Sequence, residues 1–326
     1  MIDFTNAIEE FNNYQGSEKK KTLIYNNIKY LVKFPDPIME KNKNISYINN
    51  AFSEYIGSNI FKMAEFEAQN TLLGKYYYKG KEKIVCACED FTDNEHILYE
   101  FENLALSTNL DRKIETELTD IMDVLEESKM IDTKEIKEKF WDMFVIDSLI
   151  GNTDRHNGNW GFLLNKQINE ITFSPIYDCG SCLNPLLEDT ELENMNSAEI
   201  KNLAINCYSC IKLNGKKINY MSFMQKMKNK ECNDAIKRRF KKVNINEINY
   251  YITICEKQNL SVRQLREHIK NKEYERLDKN TKLKLIKKEK LEVQDTIKNP
   301  IVIISIMRLC LRKYCRSLFL KTYQHF

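Results

Sequence analysis

Four short runs rich in β-branched and aromatic residues fall within the first ninety residues of the chain. The runs at 21–25 and 28–34 are separated by two asparagines, which tolerate positive φ and suit a tight hairpin turn. The runs at 76–78 and 84–88 flank a short polar stretch in which Gly80 supplies the turn. The pattern therefore predicts two β-hairpins.

Two further segments have the apolar period of a helix. The first, at 47–63, is amphipathic, and the second, at 135–150, carries an unusually apolar face and is expected to end at Gly151. After Phe91 the pattern is helical, with strand signals only between 160 and 173. No internal repeat or Gly/Ser linker interrupts the chain, so we expect a mixed amino-terminal part packed directly against a mostly helical remainder.

The composition excludes the disordered and membrane-embedded classes. Of the 326 residues, 42% are hydrophobic and 30% are charged, which is typical of a globular protein large enough for two domains or two lobes. No amino-terminal signal is apparent, and no apolar stretch reaches the roughly 20 residues that a membrane-spanning helix needs. We therefore expect a soluble, cytoplasmic protein.

The net charge of +3 conceals an asymmetry along the chain. Residues 263–321 carry 17 basic and 7 acidic side chains, a net charge of +10, which leaves −7 for the remainder. Such a basic tail could contact an anionic partner, either a membrane surface or nucleic acid. The alternative interpretation is a pair of helices with a solvated basic face.

Ten cysteines without a secretory signal indicate reduced thiols. Cys179 with Cys182, and Cys207 with Cys210, have metal-like spacing, but the 24 residues between the pairs exceed the usual spacing of a zinc ribbon. We favour buried thiols that act as small hydrophobic side chains over a zinc site.

The segment 149–159 reads Leu-Ile-Gly-Asn-Thr-Asp-Arg-His-Asn-Gly-Asn and precedes a predicted hairpin. It contains Asp154 and Asn159, and Asp178 follows the hairpin. Phosphoryl transfer uses such a set, in which one Asp orients the attacking hydroxyl while an Asn and a second Asp offer hard oxygen ligands to Mg²⁺. The order of loop, hairpin and Asp is more specific than the residue types alone.

A cation for nucleotide phosphates is predicted upstream. Lys33 lies near the end of a predicted strand, and Glu54 lies midway along the first predicted helix, so the two are a candidate ion pair. Residues 15–21 combine one glycine with several lysines before the first hairpin, and their backbone N–H groups and ammonium charges would suit phosphates. Alone, such a run is more often a solvated turn.

These motifs together resemble HipA-like serine/threonine kinases. The segment 149–159 resembles the catalytic loop of the family, and the Ser-Pro-Ile-Tyr-Asp run at 174–178 resembles its metal-binding segment. Residues 30–35 are similar to the family's lysine strand, and residues 53–55 to its helix glutamate. The ordered match covers 14–185, a little over half of the chain.

The resemblance implies an α+β fold of the two-lobed, protein-kinase-like type. A small, sheet-rich, nucleotide-binding N-lobe would cover 1–90, and a mostly helical C-lobe would cover 91–326. The second lobe would hold the main functional segments, which are the catalytic loop 151–160, the metal-binding segment 174–182 and the basic tail 263–326.

The implied activity is ATP- and Mg²⁺-dependent transfer of the γ-phosphoryl group to a serine or threonine of a protein, including the kinase itself. Asp154 would be catalytic, and Asn159 and Asp178 would be the metal ligands. The residues expected to bind ATP are the phosphate loop, the ion pair and a hinge, namely Gly16, Ser17, Glu18, Lys19, Lys20, Lys33, Glu54, Cys88, Glu89 and Phe91.

The chain also departs from HipA itself. HipA has an additional amino-terminal subdomain before its phosphate loop, so we expect no HipB-like antitoxin partner here. The family's Arg-Phe-Asp-Arg after the hinge strand is replaced by residues 89–92, Glu-Asp-Phe-Thr, which leaves the contacts to adenine open. Within the family the sequence looks most similar to a stand-alone kinase, a bacterial effector whose likeness implies secretion into host cells.

His156 supports a rival interpretation. The Asp-Arg-His-Asn-Gly-Asn run at 154–159 also resembles the loop of phosphoinositide lipid kinases, in which the histidine is important for catalysis. In either kind of kinase His156 is a candidate catalytic residue near the γ-phosphate, where an imidazolium would neutralise developing charge or a neutral imidazole would act as a base. The structural alternative has its ring hydrogen-bonded to the loop backbone or to the Asp178 segment. A third possibility is a non-catalytic protein that binds nucleotide or nucleic acid, against which the complete set of kinase residues argues.

Overall fold

A computed structural model of the chain describes residues 2–11, 20–35, 49–107, 116–128, 131–168, 170–187, 191, 194–226, 228–240 and 276–278. The chain divides into two compact units. The first comprises Met1–Glu188 and Asn206–Arg239, and the second comprises Asp189–Ile205 and Phe240–Phe326. The predicted lobe boundary near residue 90 stays a prediction.

The amino-terminal part of the first unit is a six-stranded sheet with the order β1-β5-β6-β4-β3-β2. Both predicted hairpins are confirmed, the first around Asn26 and Asn27, which have φ angles of 51° and 62°. The second hairpin has longer strands than predicted, and Lys79 and Gly80 alone form its turn. The strands are β1 (Ile2–Asp3), β2 (Ile8–Glu10), β3 (Lys20–Tyr25), β4 (Ile28–Lys33), β5 (Thr71–Tyr78) and β6 (Lys81–Glu89).

The two faces of this sheet bury different side chains, because successive residues of a strand point to opposite sides. One face forms an apolar cluster that includes Val32, Val85 and Ala87. The other face carries Cys86 and Cys88, which pack with Ala51 of helix α1 (Asn50–Met63). The helix predicted at 47–63 is confirmed, and it begins at Asn50.

The rest of the first unit contains helices α2 (Phe101–Ser107), α3 (Leu118–Glu127) and α4 (Thr133–Ile150) and a three-stranded sheet of β7 (His96–Glu100), β8 (Gly161–Asn165) and β9 (Glu170–Phe173). A hairpin of β10 (Tyr208–Leu213) and β11 (Lys216–Asn219) is followed by α6 (Tyr220–Gln225) and α7 (Lys230–Phe240). In the second unit, the described helix is α5 (Ser197–Ile205).

The strand prediction beyond Phe91 was partly wrong. Strands β8 and β9 are confirmed, but β7, β10 and β11 lie outside the 160–173 window. The five residues of β7 are all half-buried and show no alternation of buried and exposed positions, so the local sequence has no period-2 signal. Their partner in the sheet is β8, about sixty residues away in the chain.

Helix α4 is the buried axis of this region. It starts at Asp132, whose side chain accepts a hydrogen bond from the Glu135 N–H at 3.1 Å, and it ends at Gly151, which has a left-handed φ of 65°. Glycine takes that conformation without a steric cost, so the predicted helix stop is confirmed. The chain therefore passes from this buried helix directly into the loop that starts at Asn152.

Within the described ranges, no helix is both long enough and apolar enough to cross a membrane. The seven described cysteines are free thiols, and all but the half-buried Cys210 are buried. In the same ranges, no cluster of three or more His, Cys, Asp or Glu side chains is arranged to hold a metal ion. Burial raises the pKa of Cys179 to about 12, so its thiol stays protonated at neutral pH.

Candidate active site

Lys33 lies at the carboxyl end of β4, on the α1-facing side of the large sheet. Its Nζ is 2.7 Å from Glu54 Oε2 and 2.7 Å from Asp178 Oδ1. The second oxygen of Glu54, Oε1, accepts a hydrogen bond from the Cys179 N–H at 2.9 Å. The predicted pair of Lys33 and Glu54 is present. Lys33 also binds Asp178, which is 145 positions away from it in the chain.

The two carboxylates bound to Lys33 differ in their electrostatics. Glu54 is fully buried, and this burial raises its pKa although Lys33 partly offsets the effect. Burial also raises the pKa of Asp178, but Lys33, with smaller contributions from Arg155 and Lys20, outweighs it and holds the pKa below its usual value. Asp178 therefore remains ionised at neutral pH.

Gly57 allows helix α1 to approach the segment that carries Asp178. A Cβ atom at this position would lie 2.7 Å from Cys179 Cβ and 2.9 Å from Cys182 Sγ, closer than side chains pack. Cys182 also donates its S–H to the Ser53 carbonyl oxygen at 3.2 Å. The close contact places Glu54 within hydrogen-bonding distance of the backbone next to Asp178.

Asp154 lies in the loop after α4 with its side chain exposed. Its backbone N–H donates to Asn152 Oδ1 at 3.1 Å, whereas its carboxylate has no hydrogen bond or ion pair with the described part of the chain. Partial burial raises the pKa of Asp154, Asp178 adds to this, and His156 opposes it. The carboxylate is therefore open to a hydroxyl from outside.

The donor set around Asn159 and Asp178 fits Mg²⁺. Asn159 Nδ2 donates to the Asp154 carbonyl oxygen at 2.7 Å, and no described residue hydrogen-bonds to the amide oxygen of Asn159. In Asp178, Lys33 binds one carboxylate oxygen, and the other has no described partner. Within the described part of the chain, two hard oxygen atoms are thus left without partners, and such oxygens are the ligands that Mg²⁺ prefers.

His156 has a structural contact inside the loop. Its Nδ1 accepts a hydrogen bond from the Gly158 N–H at 3.1 Å, which in a neutral ring puts the proton on Nε2. The backbone of His156 also bonds to Asp154 and to Asn159. The ring is otherwise exposed, so it shapes the loop, and its catalytic role stays a prediction.

Of the residues predicted to form the phosphate loop, the structure describes only Lys20. Gly16, Ser17, Glu18 and Lys19 lie outside the described residues, whereas Lys20 begins β3 and is close enough to Asp178 to lower the pKa of that carboxyl.

At the predicted hinge, the structure shows which backbone groups are already used. Cys88 is fully buried and pairs with Leu31 and Thr71 of the neighbouring strands. The N–H of Glu89 donates to the Asn70 carbonyl oxygen, and its own carbonyl accepts from Gln69 Nε2, each at 2.8 Å. Phe91 follows, with its ring 6.0 Å from that of Tyr177. The contacts of these three residues with ATP stay a prediction.

Arg155 organises the site, and our sequence reasoning gave it no role. Its guanidinium group is buried and binds Asp147 of α4 through two hydrogen bonds, Nε to Oδ2 at 2.9 Å and Nη2 to Oδ1 at 3.1 Å. Its Nη1 donates to the carbonyl oxygen of Asn159 at 2.7 Å and to that of Tyr177. One side chain therefore joins α4, the Asp154 loop and the segment before Asp178.

This network has an electrostatic basis. Burial lowers the pKa of Arg155, but Asp147 more than offsets this, so the pKa lies above its usual value and the group stays charged. Asp147 also accepts from Asn152 Nδ2 at 3.0 Å. The signal in the sequence was a carboxylate, one of two within the apolar stretch of α4, since a buried charge there requires a cation.

The fold and the site define a kinase of the protein-kinase-like class, with an α+β fold, a Lys–Glu pair, a loop with Asp and Asn, and a second Asp after a hairpin. The chain belongs to the HipA-like family: the family model described as HipA-like C-terminal domain matches residues 14–249, which extends past the predicted limit near 185.

Two comparisons with individual proteins agree with this family. The chain is 40% identical over 263 residues to the serine/threonine-protein kinase CtkA of Helicobacter pylori, covering 77% of this chain and 78% of that protein. The crystal structure of a Helicobacter pylori proinflammatory kinase CtkA superposes with a TM-score of 0.64 at 37% identity, covering 77% of this chain and 86% of that chain.

Proposed function

We propose that this protein uses ATP and Mg²⁺ to phosphorylate serine or threonine residues of proteins, its own included. Family membership and the likeness to CtkA make the chain a serine/threonine-protein kinase. The finer proposal rests mainly on one observation, which is that Lys33 Nζ bridges Glu54 and Asp178 at 2.7 Å in the same unit that holds the open carboxylate of Asp154. A kinase needs these groups together.

In the proposed mechanism, each side chain has a separate task. Lys33, held in place by Glu54, binds the nucleotide phosphates, and the oxygen atoms of Asn159 and Asp178 hold Mg²⁺. When bound, Mg²⁺ neutralises charge on the phosphate oxygens. Asp154 accepts a hydrogen bond from the acceptor hydroxyl, orients it and takes its proton as the new P–O bond forms and the bond between the γ-phosphorus and the ADP oxygen breaks, with ADP as the leaving group. Arg155 holds the Asp154 loop and the Asp178 segment in fixed positions relative to each other.

Lys33→Ala should weaken productive ATP binding. Losing one charged hydrogen bond of about 1.5–3 kcal/mol predicts a kcat/KM for ATP that is about 10- to 100-fold lower. Because the change leaves Glu54 buried without its cation, Lys33→Met with Glu54→Gln should give a variant of better stability and the same kinetic defect. Lys75→Ala, which removes a half-exposed lysine of β5, is the control, and an unchanged KM and turnover in Lys33→Ala would contradict the assignment.

Further proposals concern partners and location. We expect protein substrates and no HipB-like antitoxin partner, and likeness to CtkA suggests secretion into host cells. The basic tail, apart from Arg276–Asp278, lies outside the described residues, and its contact with an anionic partner stays a prediction.

The proposed function is tested by incubating the purified full chain with labelled ATP and Mg²⁺, with and without a generic protein substrate, and then mapping phosphosites. Phosphoserine or phosphothreonine on the chain or on the added protein is the expected result. Phosphoinositide vesicles are assayed in parallel, and label in lipid alone would favour the lipid-kinase alternative. Nucleotide binding without any transfer would instead indicate a non-catalytic protein.

A further inference from the structure

A groove of about 550 Å³ lies between the start of α3, the β10–β11 hairpin and the segment from α6 to α7. Apolar side chains, including Leu118, Ile218 and Phe223, line part of it. Among the described residues no carboxylate lines the groove, but four lysines do, namely Lys216, Lys217, Lys226 and Lys228.

These four lysines have no ion-pair partner at contact distance within the described part of the chain. All four side chains are exposed, and none of them has a hydrogen bond or an ion pair there. The neighbouring carboxylate of Glu117 is already used, since it accepts hydrogen bonds from the Asn214 N–H at 2.6 Å and the Gly215 N–H at 3.1 Å. The groove therefore combines an apolar lining with positive charge that no described residue pairs.

The groove is attached to the loop that carries Asp154. Tyr220 directly follows β11, and its buried hydroxyl donates to the Asn152 carbonyl oxygen at 2.7 Å. Asn152 in turn accepts the Asp154 N–H through its side chain. Lys217, three residues before Tyr220, is near enough to Asp154 to act on its carboxylate electrostatically. The wall of the groove is thus joined to the loop that carries Asp154.

We propose that this groove binds an acidic segment of the protein substrate, with carboxylates at the four lysines and an apolar side chain on the lining, next to the serine or threonine that is phosphorylated. The inference rests on the proposed function, because the groove is useful to a kinase only if Asp154 receives the acceptor hydroxyl. Charge complementarity selects an acidic partner, and the apolar lining favours a polypeptide over a nucleic acid, whose phosphates would use the lysines alone.

The test compares kcat/KM for three peptides that differ only around a central threonine, which is flanked by glutamates, by alanines or by lysines. The wild-type chain should prefer the glutamate peptide over the alanine peptide by about tenfold, as expected for several exposed ion pairs acting together. Lys216→Glu with Lys217→Glu should abolish this preference and favour the lysine peptide. The ratio between peptides is informative even if the overall rate of the variant falls.

Lys81→Glu with Lys134→Glu is the matched control, because it makes the same change in net charge at two exposed lysines outside the groove. The control should keep the wild-type preference. A preference that is absent in the wild type, or that survives in the groove variant, would overturn the groove proposal while leaving the kinase proposal intact.

If no peptide, protein or autophosphorylation signal is seen, the proposed function fails, and the groove is then tested by binding. Fluorescence anisotropy should show that the glutamate peptide binds the wild-type chain at least about tenfold more tightly than the groove variant. Binding of a DNA duplex or of phosphatidylserine vesicles through the same lysines, without binding of the peptide, would refute an acidic protein segment as the occupant.

Discussion

Asp154→Asn is expected to lower the rate of phosphoryl transfer by about 10²- to 10⁴-fold, the usual contribution of a positioned acid–base group. The substitution keeps the shape of the side chain and removes the carboxylate that would take the proton of the acceptor hydroxyl. Labelled phosphate incorporated per minute into a protein substrate measures the effect. Asp3→Asn, a change at an exposed aspartate of β1, should retain wild-type activity.

The thermal stability of Asp154→Asn distinguishes a catalytic role of Asp154 from a structural one. Burial raises the pKa of Asp154 above the ordinary value of 3.8, so the folded chain holds this proton more tightly than the unfolded chain does. As pH rises through that raised pKa, ionisation of Asp154 destabilises the fold, and the cost remains at neutral pH. Asp154→Asn should therefore have an equal or higher Tm at pH 7. A clearly lower Tm together with lost activity would mean that Asp154 is structural.

Arg155→Met is expected to destabilise the chain by about 3–5 kcal/mol, because it leaves the Asp147 carboxylate buried without a cation. The guanidinium group and the carboxylate are both about 1% exposed, so water does not replace the lost partner. Urea denaturation of the two proteins measures the difference in the free energy of unfolding. A loss below about 1 kcal/mol, as for an exposed ion pair, would contradict the assignment.

A double variant tests whether Arg155 also positions the site. Arg155→Met with Asp147→Asn removes both charges, and it should recover part of the lost stability, because the amide oxygen introduced at position 147 can still accept from Asn152. The kcat should stay low, because no side chain then holds the carbonyl groups of Asn159 and Tyr177. The KM for ATP should change less than kcat. Full recovery of kcat along with stability would show that Arg155 acts on folding alone.

The sequence predicted several local elements correctly for a physical reason. The first hairpin depends on two asparagines that adopt positive φ, and the end of α4 depends on Gly151 in the left-handed region, and both are properties of a few adjacent residues. Helix α1 was predictable because its apolar side chains recur with the helical period over more than three turns.

The missed hairpin of β10 and β11 had a local signal, since Asn214 and Gly215 form its turn with φ angles of 53° and 73°. Strand β7 is a different case. Its pairing with β8 is antiparallel and joins His96 to Asn165 and Glu100 to Gly161, so its conformation depends on a distant partner rather than on its own residues. Such a strand is not visible in a local pattern.

By itself, the sequence determined which chemical groups are available to this protein and which local elements carry them. Turns and helices could be read from adjacent residues and from the helical period, and the candidate chemistry from the order of Asp154, Asn159 and Asp178 along the chain. Only the tertiary structure decided which groups meet. Lys33 reaches Asp178 across 145 positions, and Arg155 reaches Asp147 within a buried network. These contacts exist because packing brings α1, α4 and the Asp178 segment together and excludes water, which makes each buried charge depend on its partner.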